Sequence, residues 1–223
     1  MPLTIAIDGP VGAGKSSVAD AVAQRLGILH LDTGAMYRAV GLAALDAKID
    51  PKNQEAVCAL CAQGGAQVDV RYHNGAQATL VNGQDVRVRI RNQEAGMAAS
   101  CVSRYLPVRQ MLVRRQRELS QSQPMLLDGR DIGTVVLPDA TVKIYLTASP
   151  EVRAQRRMLQ LREKGDQTPF EQVLAEVNAR DHQDMTRVVD PLRQAEDAIC
   201  VDASALNFEE TVQAILTLVE AHS

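Results

Sequence analysis

Short continuous apolar runs alternate along this chain with longer stretches in which apolar residues recur every three or four positions. The first run, Ile5-Ala6-Ile7, has the continuous character of a strand buried on both faces. Val18, Val22 and Leu26 then share one face of a helix over residues 14–26, which Gly27 ends. A second short strand spans 28–31 and closes on Asp32-Thr33-Gly34, where a helix over A-M-Y-R-A-V-G-L-A-A-L begins and either Asp32 or Thr33 serves as N-cap. Residues 52–63 form another helix, ended by Gly64-Gly65. Over 66–90 the period changes to two: Val68, Val70 and Tyr72 alternate, as do Ala78 and Leu80, and Asn74-Gly75 and Asn82-Gly83 mark tight turns. This is a small antiparallel hairpin inserted into a β/α chain. Helices follow over 91–105 and 107–121, the second with Pro107 in its first turn. Core strands follow at 124–127, 142–147 and 199–201, with helices from 149, over 169–187 and over 207–221. Five buried strands alternating with helices predict a parallel sheet wrapped on both faces.

The chemistry concentrates where strands end. Gly9, Gly14, Lys15 and Ser16 satisfy G-x-x-x-x-G-K-[ST] directly after the first strand and before the first helix. Glycines let backbone N–H groups turn inward around phosphate oxygens, and the helix start adds its own N–H groups. Lys15 is placed to reach the β- and γ-phosphates, and Ser16 offers a hydroxyl to Mg²⁺. The 124–127 strand ends in Asp128-Gly129-Arg130-Asp131, which reads as a Walker-B-like carboxylate or as a charged turn. Thr33 and Arg38 follow a strand that ends at the same sheet edge. Arg153, Arg156, Arg157, Arg162 and Lys164 crowd the helix before Gly165-Asp166, as a flap closing on phosphates or as a solvated basic face.

Composition narrows the class. At 223 residues, 46% hydrophobic and 23% charged, the chain can bury a full core as one domain with an insertion, or with a small second one. A net charge of −3 gives no global basic field for a nucleic acid polymer or a membrane surface. With no apolar run near ~20 residues and no basic, apolar leader, the expected address is cytoplasmic. Cys58 and Cys61 form C-x-x-C inside a helical apolar pattern, which reads as buried helix cysteines before zinc or redox chemistry. The absence of N-K-x-D argues against a GTPase. A short P-loop protein with a hairpin insert and an arginine-rich flap suits a kinase of a small phosphorylated metabolite, since cations offset the repulsion of two phosphoryl groups. A non-catalytic nucleotide sensor is the alternative of a different class.

Six segments carry a family resemblance: G-P-V-G-A-G-K-S-S (9–17), L-D-T-G-A-M-Y-R (31–38), L-P-V-R (106–109), D-G-R-D-I-G-T-V-V-L-P-D-A (128–140), E-V-R-A-Q-R-R-M-L-Q-L (151–161) and R-D-H-Q-D-M-T-R (180–187). Together they closely resemble the bacterial cytidylate kinases, nearly end to end. The resemblance implies transfer of phosphate from ATP, with Mg²⁺, to CMP or dCMP, in pyrimidine nucleotide metabolism. It implies the nucleoside monophosphate kinase fold in a single domain, with 66–90 in the monophosphate-binding part and 151–166 as lid. ATP would meet Gly9, Pro10, Val11, Gly12, Ala13, Gly14, Lys15, Ser16 and Ser17. Thr33, Ser100, Arg109, Arg130 and Asp131 would hold the cytosine and phosphate end of CMP, Arg180 and Asp184 the ribose, and Arg38 and Arg187 the phosphate. Lys15, Arg130, Arg153 and Arg157 would stabilise the transferring group, with Arg156 beside them. Thr33 stands where the family commonly has Ser, and Ser16-Ser17 where Gly-Thr is frequent, so which hydroxyl meets Mg²⁺ stays open. The enzyme is expected to be a monomer that binds small nucleotide substrates and neither a nucleic acid polymer nor a membrane. Cytosine fits these side chains: a carboxylate such as Asp131 can accept from N4, while Arg109 and Ser100 can donate to N3 and O2.

Overall fold

A computed structural model describes residues 2–163 and 165–222. Five strands form the main parallel sheet in the order β2-β6-β1-β7-β8: β1 (Thr4–Asp8), β2 (Leu29–Asp32), β6 (Met125–Gly129), β7 (Val142–Thr147) and β8 (Ile199–Asp202). Ile5 to Asp8 run parallel to Val142 to Tyr145, and Ile144 to Thr147 run parallel to Ile199 to Asp202. Helices intervene in the expected places: α1 (Lys15–Leu26), α2 (Thr33–Asp46), α3 (Gln54–Ala62), α4 (Gln93–Val102), α5 (Leu106–Gln121), α6 (Pro150–Glu163), α7 (Phe170–Thr186) and α8 (Phe208–His222). The sheet with its helices is the predicted α/β class.

The chain divides into two compact units. One comprises Met1–Pro2 and Leu29–Met125, the other Leu3–Ile28 and Leu126–Ser223. In the second unit, Ile5, Ile7, Leu126, Ile144 and Leu146 of the sheet pack with Val18 and Val22 of α1 and with Val212, Ile215 and Val219 of α8. The apolar runs are continuous because these strands are covered on both faces.

In the first unit, the insert is larger than a hairpin. β3 (Val68–His73) and β4 (Ala76–Val81) pair antiparallel with Val68 opposite Val81 and His73 opposite Ala76. Asn74 and Gly75 both take positive φ, as a two-residue turn of this hand requires. Asn82 and Gly83 repeat that turn and add the two-residue β5 (Gln84–Asp85), so the sheet has three strands. Ala35, Ala39 and Leu42 of α2 pack with Val86 and Ile90, against which Val68 and Val81 also lie.

Two further features go beyond the sequence expectations. A π-helical turn, Ile132–Val136, follows the Asp128–Asp131 segment. The basic helix α6 is paired with α7 around a small core of its own, Ala154, Val173 and Val177, with Val11, Met158 and Phe170 beside it. Lys164 lies outside the described residues.

Candidate active site

The second unit holds most of the side chains the sequence offers for binding phosphate. Gly9 opens the P-loop where a Cβ would stand 2.0 Å from the carbonyl oxygen of Leu146, so the neighbouring β7 excludes any side chain. Gly12 and Gly14 have positive φ, and Gly14 is the N-cap of α1. Lys15 begins α1 and is buried, its Nζ donating to the carbonyl of Pro10 at 2.7 Å. Burial, helped by the nearby Arg130 cation, pulls its pKa down to about 7, against the pull of Asp128, Asp8 and Asp184. The Ser16 hydroxyl donates to Oδ2 of Asp128 at 2.8 Å. Asp128 is itself buried near the end of β6, so the carboxylate read from the strand end does face the P-loop serine. Ser16 and Asp128 are hard oxygen donors, the kind Mg²⁺ takes in small number while phosphates and water complete its shell. The described residues contain no group of three or more His, Cys, Asp or Glu side chains able to hold a metal.

Cations and carboxylates pair around this core. Arg130 donates through Nε to Oδ2 of Asp184 at 2.8 Å; burial lowers its pKa, but Asp184, with Asp128 and Asp181, leaves it raised above the ordinary arginine value. Arg187 donates to Oδ1 of Asp131 at 3.3 Å, and both are buried. Arg153 is 3% exposed. It meets Asp181 at 2.6 Å and donates to the carbonyls of Val11 at 2.9 Å and Ala148 at 2.8 Å. Asp181 also accepts from the Val11 N–H at 3.3 Å. The predicted phosphate arginine is thus fastened to the P-loop backbone, with Asp181 as a partner for which the sequence suggested no role. Arg156 points elsewhere, donating to the carbonyls of Ala203 at 2.7 Å and Leu206 at 3.2 Å. Arg157 and Arg180 lie on exposed positions of α6 and α7.

The first unit carries the remaining predicted residues. Asp32 is the N-cap of α2, accepting from the Ala35 N–H at 2.9 Å, and its second oxygen pairs with Arg38 at 2.6 Å. Thr33 is buried at the first position of that helix. Arg109 on α5 is 1% exposed, lies 5.6 Å from the centroid of the Tyr37 ring, and donates to the carbonyl of Ser103 at 3.3 Å. A cation so deep is held by the ring face and the carbonyl together. Ser100 is half-buried on α4, and its carbonyl accepts from the Ser103 hydroxyl at 3.3 Å. Asp32 is the N-cap, one of the two residues the sequence offered for it; its pairing with Arg38, six residues on in one short motif, and the part of Tyr37 were not foreseen.

Asp8 is the other residue missed. It closes β1 immediately before Gly9, and its carboxylate accepts the backbone N–H groups of Ile132 and Gly133.

A family model described as cytidylate kinase matches residues 5–221. A cytidylate kinase of Caldicellulosiruptor bescii is 45% identical over 97% of this chain and 95% of its own length. One of Thermosipho melanesiensis is 46% identical, covering 99% of this chain and 98% of its own. Among solved structures, an uncharacterised protein from Eubacterium ventriosum aligns over 99% of both chains with a TM-score of 0.55 at 10% identity, a likeness of fold alone. The motif-bearing strand ends therefore sit in a chain that matches one family over nearly its whole length, and this chain belongs to the cytidylate kinase family.

Proposed function

We propose that the protein phosphorylates CMP and dCMP at the expense of ATP, giving CDP or dCDP and ADP. One observation carries the reading most: within a chain of this family, the Ser16 hydroxyl and the Asp128 carboxylate meet at 2.8 Å beside a buried Lys15. An α-phosphate oxygen of CMP attacks the γ-phosphorus of ATP in line, and the bond from that phosphorus to the β–γ bridging oxygen breaks, leaving ADP. No protein nucleophile is needed, so the chain contributes positioning and charge. Residues Gly9 to Ser17 cradle the ATP phosphates. Ser16 and Asp128 would hold Mg²⁺, which would supply positive charge to offset that of the triphosphate. Lys15, Arg130, Arg153 and Arg157 offset the charge of the transferring group. Thr33, Ser100, Arg109 and Asp131 read cytosine, Arg180 and Asp184 hold the ribose, and Arg38 and Arg187 the CMP phosphate.

The enzyme works as a single kinase domain, with 66–90 in its monophosphate-binding part and 151–166 as lid. It acts as a cytoplasmic monomer of 24.2 kDa, which light scattering checks; among the described residues no helix is long and apolar enough to cross a membrane. The test of function is ATP consumption with a panel of nucleoside monophosphates. CMP and dCMP should support turnover, with UMP weaker by ~10²-fold or more because its O4 faces a carboxylate where N4 would donate. Equal turnover of UMP would remove base reading by Asp131. Turnover only with an unrelated metabolite would make this another small-molecule kinase, and tight nucleotide binding without turnover would make it a sensor.

A further inference from the structure

The proposed reaction leaves one buried carboxylate without a task. Asp8 is 5% exposed and stands one residue before the P-loop glycine. Its Oδ1 accepts the Ile132 N–H at 2.8 Å and its Oδ2 the Gly133 N–H at 2.7 Å. Those two residues open the π-helical turn and directly follow Arg130 and Asp131. N–H groups at the start of a helical turn have no partner within it, and a carboxylate is their strongest acceptor. A Cβ on Gly133 would stand at ordinary contact distance, 3.5 Å, from Oδ2 of Asp8 and nearer, 3.2 Å, to a side-chain carbon of Lys143. Burial pushes the Asp8 pKa up to about 6, with the two N–H groups acting against that rise.

We propose that Asp8 is a positioning residue for nucleotide selection: its paired hydrogen bonds set the backbone from which Arg130 and Asp131 project, in register with the P-loop. The proposal rests on the CMP kinase reading above. The side chains of Arg130 and Asp131 are already oriented by Asp184 and Arg187. What those partners leave open is the height of the backbone behind them, and Asp8 holds that at two successive N–H groups. Because Asp8 continues straight into Gly9, a single side chain ties the loop for ATP phosphates to the loop that reads the base. A misplacement near 1 Å is enough to cost ~10²-fold in rate.

Asp8→Asn tests this. Asn keeps one acceptor oxygen but sets an NH₂ group against the second N–H, donor facing donor. Steady-state kinetics on CMP and UMP at saturating ATP, and on ATP at saturating CMP, are read together with amide hydrogen exchange over 130–136. The expected result is faster exchange confined to that segment, with kcat/KM for CMP down at least ~10-fold. The CMP-to-UMP ratio should narrow by at least ~10-fold, and the KM for ATP should change less than ~3-fold. Faster exchange with an unchanged CMP-to-UMP ratio would make Asp8 a purely structural clamp and overturn the proposal, as would no change in either. Should Asp8→Asn not fold, Asp8→Glu keeps both acceptor oxygens but carries them one methylene further out and should narrow the ratio at least ~3-fold; an unaltered ratio there overturns the proposal as well. Absence of CMP turnover in the wild type would instead overturn the functional reading, while the exchange experiment would still report whether Asp8 holds 130–136.

Discussion

At the scale of single residues, burial changes what a charge can do. Lys15 is an ordinary P-loop lysine by sequence, but its pKa of about 7 means that the nucleotide-free protein holds it half-protonated near neutral pH. A bound polyphosphate favours the ammonium form, so nucleotide binding should draw a proton on to Lys15. The sign follows from the two states: at pH 8 the free lysine is mostly neutral and the bound one charged, whereas at pH 6 both are charged. Calorimetry of ATP binding in buffers of different ionisation enthalpy should therefore show close to one proton taken up at pH 8 and almost none at pH 6. Above pH 7 the affinity should weaken by up to ~10-fold per pH unit. Lys15→Met should abolish the uptake at pH 8; an uptake that survives the substitution would assign it to another group. Arg153 makes the same point differently. Its place among five cations suggests a side chain reaching for phosphate, and it stands buried against Asp181 and two backbone carbonyls, so part of its charge is already offset before any phosphate arrives.

Among the elements, the α6–α7 pair is the one whose behaviour can be tested directly. It carries its own small core and exposed arginines, and we expect its 151–166 portion to close when both substrates are bound. Tryptic cleavage after Arg157 should then slow by roughly 10-fold in the presence of a bisubstrate analogue joining adenosine and cytidine through a polyphosphate, since cleavage tracks the open population. An unchanged rate would leave α6 as a fixed basic helix. Elements of this kind differ in how clearly they show in sequence. The strands of the main sheet were legible: in β1, β6 and β7 burial on both faces forces a near-continuous apolar run, whereas the edge strand β8 shows the exposed Cys200 and is read from its short I-C-V run alone. The β3–β4 hairpin was legible through Asn74-Gly75, whose positive φ only a few residue types accept. β5 was hidden because two residues cannot display a period. The π-helical turn was hidden because I-G-T-V-V carries no helical signature, and its partner, Asp8, lies 124 residues away from Ile132. The site divides in the same way: the P-loop is local and readable, whereas Asp181 and Tyr37 act through residues brought close only by the fold.

For the whole molecule, a net charge of −3 coexists with a cluster of cations placed against carboxylates, which suits small anionic substrates better than a polymer. Connectivity matters as much as charge. The unit that holds the P-loop is split in sequence, and Thr4 on β1 meets Thr141 across 137 residues. The other unit is almost continuous, with turns that close locally. Contacts of long sequence separation form late because the intervening chain must first be ordered. In refolding followed by pulsed hydrogen exchange, amides of β3 and β4 should gain protection before those of Ile5 to Ile7; the reverse order would contradict this. During synthesis the difference becomes a matter of timing. The ribosome delivers G-P-V-G-A-G-K-S-S almost at once, but the strand whose Leu146 carbonyl lies hard against Gly9 is still more than a hundred residues from being made. A chain released early would carry the complete phosphate-binding motif and no phosphate-binding site, so unfinished copies of this enzyme should be unable to sequester ATP.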